Sequence, residues 1–431
     1  MENSNQIYNA YLESSGVSID SRSIKKGSLF FALKGPNFDG NQFANDALKK
    51  GASYVVVDDA NSLEINDKIF LVEDSLNALQ NLALHHRKQL KIPIIAITGS
   101  NGKTTTKELI HEVLSQKFLV HSTKGNMNNH IGVPITILQI SKNHEVAIIE
   151  MGANHQKEIE KLCSIAEPNW GYITNFGKAH LEGFGSEEGV IIGKSELYEY
   201  LGKNKGKILV NKDDLIQVDK TKKYRRFFFG SKSECDIKIE YLESKNGLLV
   251  GFKKHKFRSP IHGNYNFANI AAALSFGILF EVDLNKIQKA IASYDSKNNR
   301  SEKIIINNTT FILDAYNANP TSMGVALDSF CDKYSTNNLV ILGDMFELGK
   351  QTFTEHENIL NKCLSLGITK IFTIGSNFMS TKVNNEKIEK FSNIEQFIDS
   401  FEKSKVHFES VLIKGSRSMK LEKLMPFFKS L

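Results

Sequence analysis

Residues Gly99 to Thr105 read G-S-N-G-K-T-T, preceded by an apolar run at Ile94 to Thr98 and followed by a helix-forming run, K-E-L-I-H-E-V-L. A strand, a glycine loop and a helix in that order turn backbone N–H groups and a helix N-terminus toward phosphate oxygens, so Gly99, Ser100, Asn101 and Gly102 form a candidate nucleotide cradle. Lys103 would then neutralise the β and γ phosphates, and Thr104, beside Thr105, would offer a hydroxyl to magnesium. The full G-x-x-x-x-G-K-[ST] pattern is not met, because Ile97 stands at its first glycine. The plain alternative is a turn that merely contains glycine and lysine; the flanking strand and helix weigh against it.

Two further groups follow later apolar runs. Glu150 closes V-A-I-I-E at Val146 to Glu150, and a carboxylate at a strand end beside a phosphate loop suits a magnesium that bridges nucleotide phosphates. Without the loop it would equally be a solvated or helix-capping acid. His180 lies beside Glu182 in N-F-G-K-A-H-L-E-G-F-G-S, and Lys194 follows in G-K-S-E-L-Y. Taken singly, such a histidine is more often structural than a ligand, and such a lysine is an ordinary helix residue.

The elements that must position these groups are those of an α/β protein. Short apolar runs at Ser28 to Leu33 and Ser53 to Val57 frame an amphipathic stretch, and a polar helix from Ser75 to Lys91 ends before Pro93. Beyond Ile92, buried strands alternate with helices, which predicts a mostly parallel, P-loop ATPase-like sheet whose ligands sit at the strands' carboxyl ends. A more alternating, hairpin-like segment spans Cys235 to Arg258, and an Ala-rich helix runs from Tyr265 to Phe280. Asp295 to Ser301 is polar and predicts a linker. After it a third βαβα unit, with strands near Thr309, Asn338, Lys370 and Ser410, predicts a Rossmann-like sheet. The expected division is therefore 1–91, 92–298 and 299–431.

Composition narrows the function. Hydrophobic residues at 41% and charged residues at 24% are those of a folded globular chain, and the net charge of +6 is spread without the basic blocks that mark nucleic-acid binding. The four cysteines form no C-x-x-C pair, which argues against a zinc knuckle or a disulfide framework. No signal peptide and no apolar run long enough to span a bilayer is expected, and the cytoplasm is the expected compartment.

In their order and number, these strings resemble the Mur ligases, the ATP-dependent amide-bond-forming enzymes of bacterial peptidoglycan synthesis, over nearly the whole chain. The family uses T-G-x-N-G-K-[ST], which accounts for the short loop. D-S-R at Asp20 to Arg22 and the stretch from Gly27 to Gly40 imply a domain that holds the UDP end of a nucleotide-sugar through Ser21, Arg22 and Asp39. G-N-M-N-N-H-I-G-V-P implies substrate contacts from Asn128 and Asn129. In H-G-N-Y-N-F-A-N-I-A-A-A the resemblance sets Asn266 and Asn269 against adenine, with Tyr265 where histidine is usual. It also implies that Lys194 is carbamylated. In the last domain, N-N-R-S-E, D-A-Y-N-A-N-P and K-G-S-R imply that Arg300 and Asp314 hold ATP and that Tyr316, Asn317, Lys414 and Arg417 contact substrate.

Y-N-A-N-P and K-G-S-R are most similar to the branch that adds D-alanyl-D-alanine, and the D-N-P-R string of the branch that adds the third amino acid is missing. The implied reaction joins D-Ala-D-Ala to UDP-MurNAc-tripeptide through an acyl phosphate, with ATP and two magnesium ions, in a monomeric enzyme. Lys103, His180 and Lys194 are then the expected catalytic group, with Thr104, Glu150, His180 and Lys194 around the metals. Arg300 and Asp314 would reach ATP only once their domain swings in. Another Mur ligase, a folylpolyglutamate-type ligase, or a nucleotide-binding protein without chemistry are the alternatives.

Overall fold

The computed structural model describes residues 2–61, 66–242, 247–294, 299–404 and 408–430. Residues 295–298 of the expected linker lie outside them. Among the described residues the α/β expectation is met by three parallel or mostly parallel sheets and two small antiparallel ones. No helix among these residues is long and apolar enough to cross a membrane.

The first sheet pairs Val17–Ser18, Leu29–Phe31, Tyr54–Val57 and Ile69–Leu71, all parallel. Its helix Ser75–Gln89, capped by Asp74, carries Arg87 into the next unit. There the buried guanidinium donates to the carbonyls of Ala166 at 2.8 Å, Leu90 at 2.8 Å and Glu167 at 2.9 Å. A cation on the free carbonyls ending helix Glu158–Ala166 is favoured by the helix dipole. Tyr11 adds a bond from its hydroxyl to Leu138 O at 2.6 Å. The first two units are thus joined by buried polar and apolar contacts.

The central sheet runs in the order Ile237–Lys238, Arg226–Gly230, Lys207–Asn211, Trp170–Ile173, Ile94–Thr98, Val146–Glu150, Val120–Ser122. Every residue of Ile94–Thr98 and Val146–Glu150 is buried, as continuous apolar runs under helices on both faces require. Strand Ile94–Thr98 lies between strands that follow it in sequence, so the order reverses there and a crevice opens at the carboxyl ends of these three neighbours. The segment expected to be hairpin-like contributes Leu248–Phe252 paired antiparallel with His255–Ser259, covered by Phe267–Leu279. The third sheet has Thr309–Asp314, Ser410–Lys414, Asn338–Gly343, Lys370–Ile374 and Ile388–Phe391 in parallel, with Glu302–Ile306 antiparallel at its edge. Sequence reading had given that edge strand no place.

Candidate active site

The loop after Ile94–Thr98 is shaped by its glycines. Gly99 has φ +136, and a Cβ there would lie 2.1 Å from Thr174 Oγ1. Gly102, at φ +78, is the left-handed N-cap of helix Lys103–Leu114. The chain is pinned to the neighbouring strand's end: Ser100 N donates to Asn175 O at 3.0 Å, and Asn101 N to Asn175 Oδ1 at 3.1 Å. Lys103 curls back, its Nζ donating to Gly99 O at 2.8 Å and Ser100 O at 3.2 Å. Burial presses its pKa below the ordinary lysine value, against the opposing pull of Glu150.

Thr104, one residue on, faces Glu150 across the crevice, with Oγ1 donating to Oε1 at 3.3 Å. Asn128 Nδ2 donates to the same Oε1 at 2.8 Å. Glu150 is 1% exposed, and Lys107 Nζ stands 3.5 Å from Oε2, which accepts no hydrogen bond. Lys107 balances the charge of that oxygen without a hydrogen bond, which leaves its lone pairs open to a second, harder cation. A carboxylate and a hydroxyl, with room beside them, are hard oxygen donors of the kind magnesium takes while keeping its waters. The residues fit that ion. Among the described residues no three acidic, histidine or cysteine side chains cluster as a preformed metal cage.

On the other side of Gly102 lie Asn266 and Asn269. Asn269 Nδ2 donates to Asn266 Oδ1 at 2.8 Å and its Oδ1 accepts from Thr106 Oγ1 at 2.9 Å, so both amides are fixed. Tyr265, the departure from the family's histidine, is bonded through its hydroxyl to Ser301 Oγ at 2.5 Å, and burial raises its pKa.

The third unit closes over the loop. Arg300 Nη2 donates to Thr104 Oγ1 at 3.1 Å, and its guanidinium carbon sits 3.5 Å from the Tyr316 ring centroid. Asn319 Nδ2 donates to Asn101 Oδ1 at 2.8 Å. Asp314 and Lys414 are register partners on adjacent strands, which brings Lys414 Nζ to 2.5 Å from Asp314 Oδ2 and 3.3 Å from Asn317 O. In this arrangement Arg300 and Asn319 already touch the glycine loop.

Lys178 and His180 dock the same unit from the central side. Lys178 Nζ is 2.8 Å from Glu355 Oε1, its backbone N is 2.9 Å from Thr321 Oγ1, and His180 Nδ1 bonds the Glu347 carboxylate. Lys194 lies in helix Glu187–Lys203, donating to Ala153 O at 2.9 Å with Nζ 4.9 Å from the Phe184 ring centroid. Burial, reinforced by the nearby Lys103 charge, holds its pKa well below the ordinary lysine value. These groups surround one cavity of about 700 Å³ whose wall includes Lys103, Thr104, Glu150, His180, Asn269 and Asp314.

Three family descriptions cover the chain: Mur ligase family, catalytic domain, over residues 13–98; Mur ligase middle domain over 97–277; and Mur ligase, glutamate ligase domain, over 299–417. UDP-N-acetylmuramoyl-tripeptide--D-alanyl-D-alanine ligase of Bacillus subtilis (strain 168) is 32% identical over 423 residues, 95% of this chain and 92% of that one. The chain belongs to the Mur ligase family. Its fold matches a crystal structure of MurF from Acinetobacter baumannii with a TM-score of 0.88 at 28% identity, over 99% of this chain and 98% of that one. MurF ligase from Thermotoga maritima in complex with ADP matches with 0.85 at 26% identity, over 97% and 98%.

In this Mur ligase most of the expected site converges. Ser100, Asn101, Gly102, Thr105, Asn128, Asn129, Asn266, Arg300, Tyr316, Asn317 and Lys414 also line the cavity. Gly99 and Lys194 stand behind its wall. Arg417 is outside it, paired with Glu422 at 3.2 Å, its guanidinium carbon 5.8 Å from the Tyr316 centroid. Ser21, Arg22 and Asp39 are in the first unit and do not line it: Arg22 is exposed and pairs with Asp20 at 2.8 Å, and Asp39 caps the turn Gly40–Phe43. Sequence reading missed Lys107, Lys178, Asn319 and Glu347, whose partners lie 43 to 218 residues away. No spacing rule reaches that far, although Lys178 and Asn319 sit inside strings already singled out.

Proposed function

We propose that this chain joins D-alanyl-D-alanine to UDP-MurNAc-tripeptide at the expense of ATP, forming UDP-MurNAc-pentapeptide, ADP and phosphate. The observation that carries the reading is the Thr104 to Glu150 contact beside Lys103, roofed by Arg300 and Asn319 from another unit. It belongs with near-full-length similarity to proteins named for that reaction. ATP lies along Gly99 to Thr105 with its adenine toward Asn266 and Asn269. The UDP end of the other substrate is held by the first unit, through Ser21, Arg22 and Asp39. Asn128, Asn129, Tyr316, Asn317, Lys414 and Arg417 contact the peptide substrates. The three units are residues 1–91, 92–298 and 299–431, and the enzyme acts as a monomer in the cytoplasm.

The tripeptide carboxylate oxygen bonds to the γ-phosphorus as the bond to the β-bridging oxygen breaks, and ADP leaves. The D-Ala-D-Ala amine then attacks the acyl carbon, the bond from that carbon to the phosphate oxygen breaks, and the proton lost by the amine leaves with the phosphate. Such a transfer needs positioning and charge neutralisation more than covalent help. Lys103 and Arg300 place fixed positive charge on the transferring phosphoryl, and the closed third unit keeps water from the acyl phosphate. Thr104 and Glu150 would hold one magnesium, and His180 with Lys194 a second; bound there, magnesium supplies charge neutralisation and orients phosphate oxygens. Lys194 acts as its carbamate: burial lowers its pKa, which favours the unprotonated amine that adds carbon dioxide, and the product is an anion near Lys103.

ADP release measured with UDP-MurNAc-tripeptide and D-Ala-D-Ala, each omitted in turn, tests the reaction. Release is expected to need both; equal release with another amine in place of the dipeptide would overturn the assignment. Lys194→Ala is expected to be inactive and partly rescued by short carboxylates. Full activity of that variant without them would remove the carbamate.

A further inference from the structure

Glu347 has no role in the reaction as derived so far, yet the segment that carries it is braced by several hydrogen bonds on the third unit's docking face. It lies in L-G-D-M-F-E-L-G, after strand Asn338–Gly343. Asp344 is buried and accepts from the backbone N of Asn377 at 2.9 Å and of Phe378 at 3.0 Å. Met345 N donates to His356 Nε2 at 3.0 Å, and Phe346 N to Ser416 Oγ at 3.3 Å. Glu347 itself takes φ +62, outside the range most side chains prefer. Held this way, it meets the central unit twice: its carbonyl accepts from Glu182 N at 3.0 Å and its carboxylate from the His180 ring.

The ring contact has a chemical consequence. An ionised carboxylate only accepts hydrogen bonds, so His180 Nδ1 must carry the proton. In the neutral imidazole, Nε2 then has a free lone pair, on a residue that lines the nucleotide cavity. A carboxylate behind a histidine is the arrangement that fixes tautomer and ring orientation in metal sites and raises the basicity of the ligating nitrogen.

We infer that Glu347 is a positioning residue that sets the tautomer and aim of His180 only when the third unit is docked, so that domain closure strengthens the hold on the second divalent cation. The inference deepens the proposed function and rests on its reading of His180 as a cation-orienting group. It makes the cation site a composite of two units, with the ligand on one and its carboxylate brace on the other.

The test is a titration of free Mn2+ by electron paramagnetic resonance, on the full chain with a non-hydrolysable β,γ-imido ATP analogue. Glu347 is 52% exposed, so its replacement leaves the core intact. Expected for Glu347→Ala is a loss of about tenfold or more in affinity for the weaker ion, with the tighter ion unchanged. Glu347→Gln, which keeps a carbonyl acceptor for Nδ1–H, should retain most of it. His180→Ala should weaken the same ion, and the double variant should be no weaker than His180→Ala alone. If Glu347→Ala titrates as the parent does while His180→Ala loses an ion, the inference is overturned and the role of His180 stands. If His180→Ala also titrates as the parent does, that role falls, and this inference with it.

Discussion

Asn319, at the start of helix Pro320–Lys333, donates its side-chain amide to Asn101 Oδ1 in the glycine loop at 2.8 Å, across 218 residues of sequence. The same Asn319 caps its own helix, its Oδ1 accepting from Ser322 N at 2.9 Å. One side chain thus ends a helix and joins two units. The two roles separate by substitution. Asn319→Ala should lower stability by about 1 kcal/mol, whereas Asn319→Ser keeps a capping oxygen and should stay within about 0.5 kcal/mol of the parent. Both lose the reach to Asn101 and should lower kcat/KM for ATP by about tenfold or more through misplacement. Urea denaturation beside ADP-release rates distinguishes them, and full turnover in the serine variant would show that the bridge is dispensable.

Lys103 donates only to loop carbonyls, so its ammonium is held ready for phosphate rather than spent on a carboxylate. Lys103→Ala should therefore cost turnover at least about 10²-fold, the scale of losing one transition-state charge partner, without loss of the fold. Rates and the unfolding midpoint measured on one preparation check both halves. Ligation at the parental rate would show that the transferring phosphoryl does not depend on this lysine.

Gly102 and Gly125 both have positive φ, at +78 and +56, but only one is crowded. A Cβ at Gly102 would stand 2.7 Å from Asn269 Oδ1, while at Gly125 nothing lies within 4 Å. Alanine at either should cost about 1 kcal/mol of backbone strain. Only Gly102→Ala should also raise the KM for ATP, by about tenfold, because it displaces an amide assigned to the adenine, a cost of about 1.4 kcal/mol. Equal KM values in the two variants would detach Asn269 from nucleotide binding.

How far the sequence can be read follows from the range of each interaction. The glycine loop, Glu150 and the strands at 94–98, 146–150, 309–314 and 410–414 were legible because local periodicity and strand ends determine them. Glu302–Ile306 was not, since its place at the sheet's edge, with alternate residues exposed, is set by antiparallel pairing to Thr309–Asp314 rather than by its own run. The opening helix Glu2–Glu13 was missed for a related reason: it begins in a polar run, and its buried Ile7, Ala10 and Tyr11 show their purpose only against the helix that carries His86. The pairs His180 with Glu347 and Lys178 with Glu355 depend on how two separately folded sheets meet, which no pattern within either unit specifies.

His121 offers a pH test away from the nucleotide. It is 7% exposed, donates from Nε2 to Thr136 O at 3.0 Å, and faces His144 with ring centroids 5.1 Å apart. Burial, with His144, Lys124 and His111 nearby, lowers its pKa from 6.5 to about 4. The folded chain therefore refuses a proton that the unfolded chain accepts between those values, so stability present above pH 6.5 is lost as pH falls toward 4. At about 1.4 kcal/mol per pKa unit the loss is roughly 3 kcal/mol. His121→Gln removes the titrating group: it should be less stable than the parent at pH 7, and the gap should narrow steadily down to pH 4. Urea unfolding at half-unit intervals from pH 7.5 to 4 measures the two slopes. Parallel curves would mean that the ring is protonated as easily in the folded chain as in the unfolded one.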